Sequence, residues 1–271
     1  MSDLPFRLCA IDLDDTLLDA SHSISEHSAK IIKALVQKGV LIVLASGRMH
    51  AATLRYVNQL ALTTPVISYN GAMVKNAGTG EIWLEDHIDA DIAVEIRAYA
   101  HDNGLQLNYY LHDILYSAAE TPWLKLYRDR TGAPIKILVD FEAKLSGTEP
   151  TKLVIVDAPE KVATLFPTLQ TRFGSRAYVT RSNAEYLEFM PINASKGKAL
   201  ALVAEKYKLS AAQVVAFGDS WNDIPMLQWA GLGIAVANAK PEVREAAKRI
   251  VGSNTEDGVA LALADIFGLT P

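Results

Sequence analysis

The acids of Asp12-Leu13-Asp14-Asp15-Thr16 are the residues best equipped for chemistry, and their place in the chain suggests which chemistry. They follow an apolar run, Leu8-Cys9-Ala10-Ile11, that reads as a buried strand, so the carboxylates emerge at its carboxyl end. The design recurs far downstream, where Val214-Val215-Ala216-Phe217 runs into Gly218-Asp219-Ser220-Trp221-Asn222-Asp223. Two buried strands that each end in carboxylates point to one shared polyanionic site. Like charges held in a low-dielectric cleft repel, so such a site needs a cation. Oxygen-only ligands suit Mg²⁺. A carboxylate nucleophile beside a divalent ion is a tool for phosphoryl chemistry.

Two further motifs belong with these acids. Ser46-Gly47-Arg48 follows another apolar run, and Asn193-Ala194-Ser195-Lys196-Gly197 places a lysine at a helix start. A helix amino terminus and an ammonium both favour a bound anion. Each motif alone fits an ordinary role as a turn, a helix cap or a solvated charge. Together they supply a nucleophile, an acid/base, a cation site and anion donors, the parts of a phosphate-handling enzyme.

The elements that must position these groups alternate. Phe6–Ile11 is predicted as a strand, Ser25–Lys38 as a helix capped by Ser25 and stopped by Gly39, Val40–Ala45 as a strand, Met49–Leu60 as a helix and Pro65–Ser68 as a strand. This order argues for a parallel sheet with right-handed crossovers. Met73–Val74 and Glu81–Leu84 flank Asn76-Ala77-Gly78-Thr79-Gly80 as a hairpin. From about Glu85 to Met190 helices and strands are grouped differently: helices at Asp91–Asn103, Pro122–Thr131 and Glu160–Phe173, and strands at Leu105–Tyr110, Leu115–Ser117, Lys152–Val156, Ala177–Thr180 and Leu187–Met190. That grouping predicts an α+β insert with an antiparallel sheet. From Ala194 the α/β alternation resumes to the end. The expected organisation is therefore residues 1–84 and 191–271 as a core, with 85–190 inserted.

Composition narrows the reading. The chain has 271 residues, half of them hydrophobic, enough for one large domain or two smaller ones. A net charge of −5 argues against nucleic acid or an anionic membrane surface as partner. The single cysteine, Cys9, excludes an internal disulfide and fits a reducing compartment. Met1-Ser2-Asp3-Leu4-Pro5 lacks the basic and apolar regions of a leader peptide, and no apolar segment approaches the roughly 20 residues of a membrane helix. A cytoplasmic protein is the expectation.

With these motifs in place, the chain resembles the haloacid dehalogenase (HAD) superfamily of phosphohydrolases, in its Cof-type branch, along essentially its whole length. The DxDxT motif of that family is met by Asp12, Asp14 and Thr16; the Ser or Thr after a strand by Ser46; the Lys before a helix by Lys196; and GDxxND by Gly218, Asp219, Asn222 and Asp223. The resemblance implies a Rossmann-like α/β core with a parallel sheet and an inserted α+β cap of the C2B type. It implies Asp12 as nucleophile and Asp14 as acid and base, which calls for a raised pKa that nearby carboxylates would supply. It implies Mg²⁺ held by Asp12, the Asp14 backbone carbonyl and Asp219, with Asp223 and Ser220 contributing, and a phosphoryl group held by Leu13, Ser46, Gly47, Lys196 and Asn222. Thr16 is expected to brace the loop. Asp15, which stands where many relatives carry glycine, is expected to tolerate unusual backbone angles and to point away. The substrate class implied is a small phosphate ester, such as a sugar phosphate. Asn70 and Gly71 are candidates for the entrance; Tyr109, Tyr110, His112, Trp123 and Arg181 are candidate readers of the leaving group.

Two alternatives remain at this level: a phosphomutase of the same superfamily, and a non-catalytic module that senses a phosphorylated ligand. The second would have no need of Asp12, Asp14 and Asp219 together. A P-loop is absent, and the Gly231/Gly233 pair precedes its strand, unlike a dinucleotide fingerprint. Oligomeric state is open.

Overall fold

Apolar runs of four or five residues with no polar alternation are buried on both faces, which requires helices above and below a parallel sheet. The computed structural model, which describes residues 4–269, follows that logic. Met1-Ser2-Asp3, used above in the leader argument, lies outside the described residues.

The chain divides into two units, one of Met1–Arg48, Thr53–Leu84 and Ser195–Pro271, the other of Met49–Ala52 and Glu85–Ala194. The elements of the first part are β1 (Leu8–Asp12), α1 (Glu26–Gln37), β2 (Leu41–Ala45), α2 (His50–Gln59), β3 (Pro65–Ser68), β4 (Met73–Asn76) and β5 (Ile82–Glu85). Those of the middle are α3 (Ala90–Asp102), β6 (Gln106–Leu111), β7 (Ile114–Ser117), α4 (Pro122–Thr131), β8 (Ile135–Ile137), α5 (Phe141–Lys144), β9 (Lys152–Val156), α6 (Pro159–Phe173), β10 (Ala177–Asn183) and β11 (Tyr186–Pro191). The last part holds α7 (Lys196–Lys206), β12 (Val214–Gly218), α8 (Ile224–Trp229), β13 (Leu232–Val236), α9 (Pro241–Ala246), β14 (Arg249–Val251) and α10 (Gly258–Phe267).

The first unit is built on a sheet of order β14-β13-β12-β1-β2-β3-β4-β5. It is parallel from β14 to β3 and antiparallel between β3 and β4. After β1 the chain builds outward through β2 and β3; after the insert it returns on the other side of β1 through β12, β13 and β14. The point where strand order reverses is where open α/β sheets bind ligands, beyond the strands' carboxyl ends. Register aligns those ends: Ile11 pairs with Phe217, and Asp12 with Ala45. Every residue of β1 and β12 is buried. The α1 helix starts as its sequence predicts, with Ser25 Oγ accepting from Ser28 N at 3.0 Å and Ile31, Ile32 and Leu35 turned into the core.

The second unit has its own sheet, of order β10-β11-β9-β6-β7-β8, antiparallel except between β7 and β8. Its core includes Ile92, Ile96, Leu107, Tyr109, Leu153, Phe173 and Phe189, separate from the core around β1. Sequence reading omits β8 and α5, which span three and four residues and are too short to show a period. Among the described residues no helix is long and apolar enough to cross a membrane.

Candidate active site

At the carboxyl ends of β1 and β12 three buried carboxylates converge: Asp12, Asp219 and Asp223 each place an oxygen within 4.8 Å of the others. Lys196, buried at the first position of α7, reaches into them. Its Nζ donates to Asp12 Oδ1 at 2.5 Å and to Asp223 Oδ1 at 2.6 Å. The helix start that aims it is capped by Ser195, whose Oγ accepts from Lys198 N. Gly71 makes the approach possible. It sits at φ +97°, and a Cβ there would lie 2.3 Å from the Ser195 carbonyl oxygen.

Asp223 is locked from its other side. Its Oδ2 accepts from the backbone N–H groups of Asp219 and Ser220, both at 3.0 Å. The carboxylate folds back over Gly218 so closely that a Cβ at 218 would come within 2.4 Å of Asp223 Cβ. Thr16, expected to brace its own loop, donates from Oγ1 to Asp219 Oδ1 at 3.0 Å and so braces the neighbouring strand's acid.

Three acids around one ammonium leave net negative charge in a buried place. Burial, then Asp223, and then Asp219 and Asp14 push the Asp12 carboxyl well above the usual range, against the pull of Lys196. Burial and the Asp223 charge push Asp219 up to about 7. For Lys196 burial works downward, but the charges of Asp12 and Asp223 outweigh it and hold the ammonium above its ordinary value. A divalent cation would relieve this excess. The donors are all hard carboxylate oxygens, and the site fits Mg²⁺ on that chemistry.

Asp14 departs from expectation. Sequence reading gives its backbone carbonyl to the metal, which the side chain's position leaves untouched, and has neighbouring carboxylates raise the pKa of its carboxyl, which fails. The acids that cluster are instead Asp12, Asp219 and Asp223, and the Asp14 carboxylate is taken by Arg48, with Nε at 2.8 Å from Oδ2 and Nη2 at 2.6 Å from Oδ1. Burial works upward on Asp14, but the Arg48 hydrogen bonds and charge, with smaller help from His22 and Lys196, hold it below the usual range. A motif-based reading counts neighbouring acids and overlooks the guanidinium two residues beyond Ser46.

The remaining expected residues fall as follows. Leu13 is fully buried, so only its backbone can serve an anion. Ser46 is buried after β2, and its Oγ accepts from Arg48 N at 3.1 Å. Gly47 lies against Asn70, where a Cβ would meet Asn70 Oδ1 at 2.8 Å. Asn222 Nδ2 donates to the same Asn70 oxygen at 2.7 Å. Asn70 thus bridges the motifs after β2 and β12, a bracing role that sequence reading misses. Asp15 is exposed at φ 57°, the left-handed backbone anticipated there. Of the candidate readers, Tyr109 is core, edge-on to Phe141 with its hydroxyl against Thr148. Tyr110 Oη donates to Tyr127 Oη, Arg181 lies over the Phe166 ring, and His112 occupies a left-handed turn position. Cys9 is buried in β1, and burial pushes its thiol far up, which makes it a poor nucleophile.

The core is thus a largely parallel α/β sheet with three buried carboxylates at its topological switch point, interrupted by an α+β unit. The family model described as haloacid dehalogenase-like hydrolase matches residues 9–263. The chain belongs to this family, as a phosphatase-type enzyme. It is 32% identical to "Putative phosphatase YxeH" of Bacillus subtilis, over 96% of this chain and 98% of the relative. It is 31% identical to the 5-amino-6-(5-phospho-D-ribitylamino)uracil phosphatase YcsE of the same organism, over 96% of each. Among solved structures, TM0651 from Thermotoga maritima superposes with a TM-score of 0.89 at 33% identity, covering 96% of this chain and 97% of the other.

Proposed function

We propose that this protein is a Mg²⁺-dependent phosphatase of small phosphorylated metabolites, sugar phosphates among them, that works through an aspartyl-phosphate on Asp12. One observation carries the reading: Asp12, Asp219 and Asp223 converge within 4.8 Å around the buried Lys196 ammonium. A nucleophilic carboxylate must be ionised to attack, and here burial and like charge oppose its ionisation. A divalent cation held by Asp12, Asp219 and Asp223 would supply the missing positive charge and offset repulsion from the phosphate dianion.

Asp12 holds one oxygen against Lys196 and attacks phosphorus in line. The ester bond breaks as the aspartyl bond forms, and Asp14, which must first take up a proton from solvent against the pull of Arg48, gives it to the departing oxygen. Asp14 then takes a proton from water as the water oxygen attacks phosphorus and the bond to Asp12 breaks. Lys196, Ser46, Asn222 and the backbone at Leu13 and Gly47 hold the phosphoryl oxygens. The inserted unit, residues 85–190, acts as the cap that reads the leaving group. The name of YcsE supports a small phosphate monoester as substrate. Net charge of −5 and a single buried cysteine support a cytoplasmic protein without a nucleic-acid or membrane partner.

The test is free-phosphate release from p-nitrophenyl phosphate and a panel of sugar phosphates, with Mg²⁺ and with chelator. Asp12→Asn is expected to abolish turnover while circular dichroism stays unchanged. Turnover near wild type in that variant removes Asp12 as nucleophile; an isomerised sugar phosphate in place of free phosphate makes the protein a mutase.

A further inference from the structure

The Ser46-Gly47-Arg48 motif contains one residue to which the mechanism above gives no work. We infer that Arg48 is the positioning residue for Asp14, holding the acid/base carboxylate by both oxygens in one orientation. The inference rests on the phosphatase reading.

The contact is a two-pronged fork, Nε to Oδ2 and Nη2 to Oδ1, which fixes the plane of the carboxylate as well as its distance. The two side chains differ in freedom: that of Arg48 is 12% exposed, that of Asp14 39%. Arg48 is held independently of Asp14. Its backbone N–H donates to Ser46 Oγ, and its guanidinium lies 5.8 Å from the centroid of the Tyr56 ring. Tyr56 is buried, and its hydroxyl donates to the His22 carbonyl at 3.1 Å, which ties the loop after the nucleophile motif to α2. His22 Nδ1 in turn lies 3.4 Å from Arg48 Nη2 and 3.5 Å from Asp14 Oδ1. A partly exposed carboxylate is thus clamped by a braced cation.

Stability alone does not account for this arrangement. A pair whose carboxylate is open to water adds less to folding than a fully buried one. Arg48 Nη1 is buried with no hydrogen-bond partner, which works against the fold. The guanidinium sits where it serves Asp14, at the expense of one of its own donors. Orientation of a proton-transfer group is a part of catalysis that a small displacement loses.

The test uses two aryl esters that differ in leaving group. The p-nitrophenolate departs without a proton, whereas the more basic phenolate of phenyl phosphate profits from one. Asp14→Asn should therefore lower kcat/KM for phenyl phosphate by about a hundredfold or more and for p-nitrophenyl phosphate far less. Arg48→Met should reproduce that selectivity, with a loss at least about tenfold greater for phenyl phosphate. Arg48→Lys, which can engage one oxygen, should restore part of it. Added to Asp14→Asn, Arg48→Met should change kcat/KM for phenyl phosphate by less than about twofold, because the two act as a unit. Equal losses on both esters, or a full further loss in the Asp14→Asn background, would overturn the inference, since Arg48 would then serve the phosphoryl group itself. If Arg48→Met fails to fold by circular dichroism, the ester ratio of Arg48→Lys decides. Wild-type protein inert toward both esters would sink the phosphatase reading; active wild type with unselective Arg48 variants sinks only this inference.

Discussion

Among the described residues Lys152 and Lys196 are both buried against carboxylates, one in each unit, and their surroundings are balanced differently. In the inserted unit Lys152 Nζ meets Glu188 Oε1 at 2.8 Å, and Ser182 Oγ donates to the same oxygen at 2.7 Å. In the core Lys196 meets Asp12 and Asp223, with Asp219 packed beside them. The first sets a cation directly against an acid, the arrangement that lets a charge pair be buried at all. The second carries acids in excess, which a fold selected for stability alone would avoid. The difference teaches that burial of charge does not mark a site. Uncompensated burial does, because only a further cation or protons can settle it.

The comparison can be broken most forcefully within the two charge pairs. Lys196→Met should reduce turnover of p-nitrophenyl phosphate by about a thousandfold or more and destabilise the metal-free protein by roughly 3–5 kcal/mol, since it strands buried charge. Glu188→Gln should cost about 1–3 kcal/mol in denaturant unfolding and leave the response to Mg²⁺ unchanged. A Glu188 variant that lost its Mg²⁺ response would erase the distinction between the two clusters.

The next effect is on pH. A carboxyl raised in the folded state binds its proton more tightly there than in the unfolded chain, so stability falls as pH rises between the two pKa values. For Asp219 that window runs from 3.8 to about 7, and its full span corresponds to on the order of 4 kcal/mol. Metal-free protein should therefore lose melting temperature between pH 5 and 7.5. Asp14, held low by Arg48, works oppositely: its stabilisation is present above the ordinary Asp range and is lost only as pH falls below it. Saturating Mg²⁺ should raise the melting temperature by several degrees at pH 7.5 and by less at pH 5, because it binds the ionised cluster of the native state. A metal shift that is absent, or that does not depend on pH, would mean the excess charge is settled some other way.

The smallest effect should come from Thr16→Val, which removes the hydroxyl on Asp219. A loss of about 1 kcal/mol is expected, together with weaker Mg²⁺ binding by titration calorimetry. Retained affinity would reduce Thr16 to a packing residue.

The amino-acid sequence by itself determines the frame and the motif residues of this protein. Uninterrupted apolar runs can only be doubly covered strands, and residues directly after them must emerge at the strand ends. Asp12, Ser46 and Asp219 are legible for that reason, and Lys196 because it stands where the α/β alternation resumes with a helix. The three-residue β8 and the four-residue α5 escape the same reasoning because they are too short for a period. Only the tertiary structure decides how those ends are wired. Asp14 belongs to Arg48 and not to the carboxylate cluster, Asn70 joins Asn222 across 152 residues, and Thr16 joins Asp219 across 203. Partner choice among polar side chains is a matter of distance and direction in space. Periodicity along the chain carries neither, because strands adjacent in the sheet come from opposite ends of the sequence.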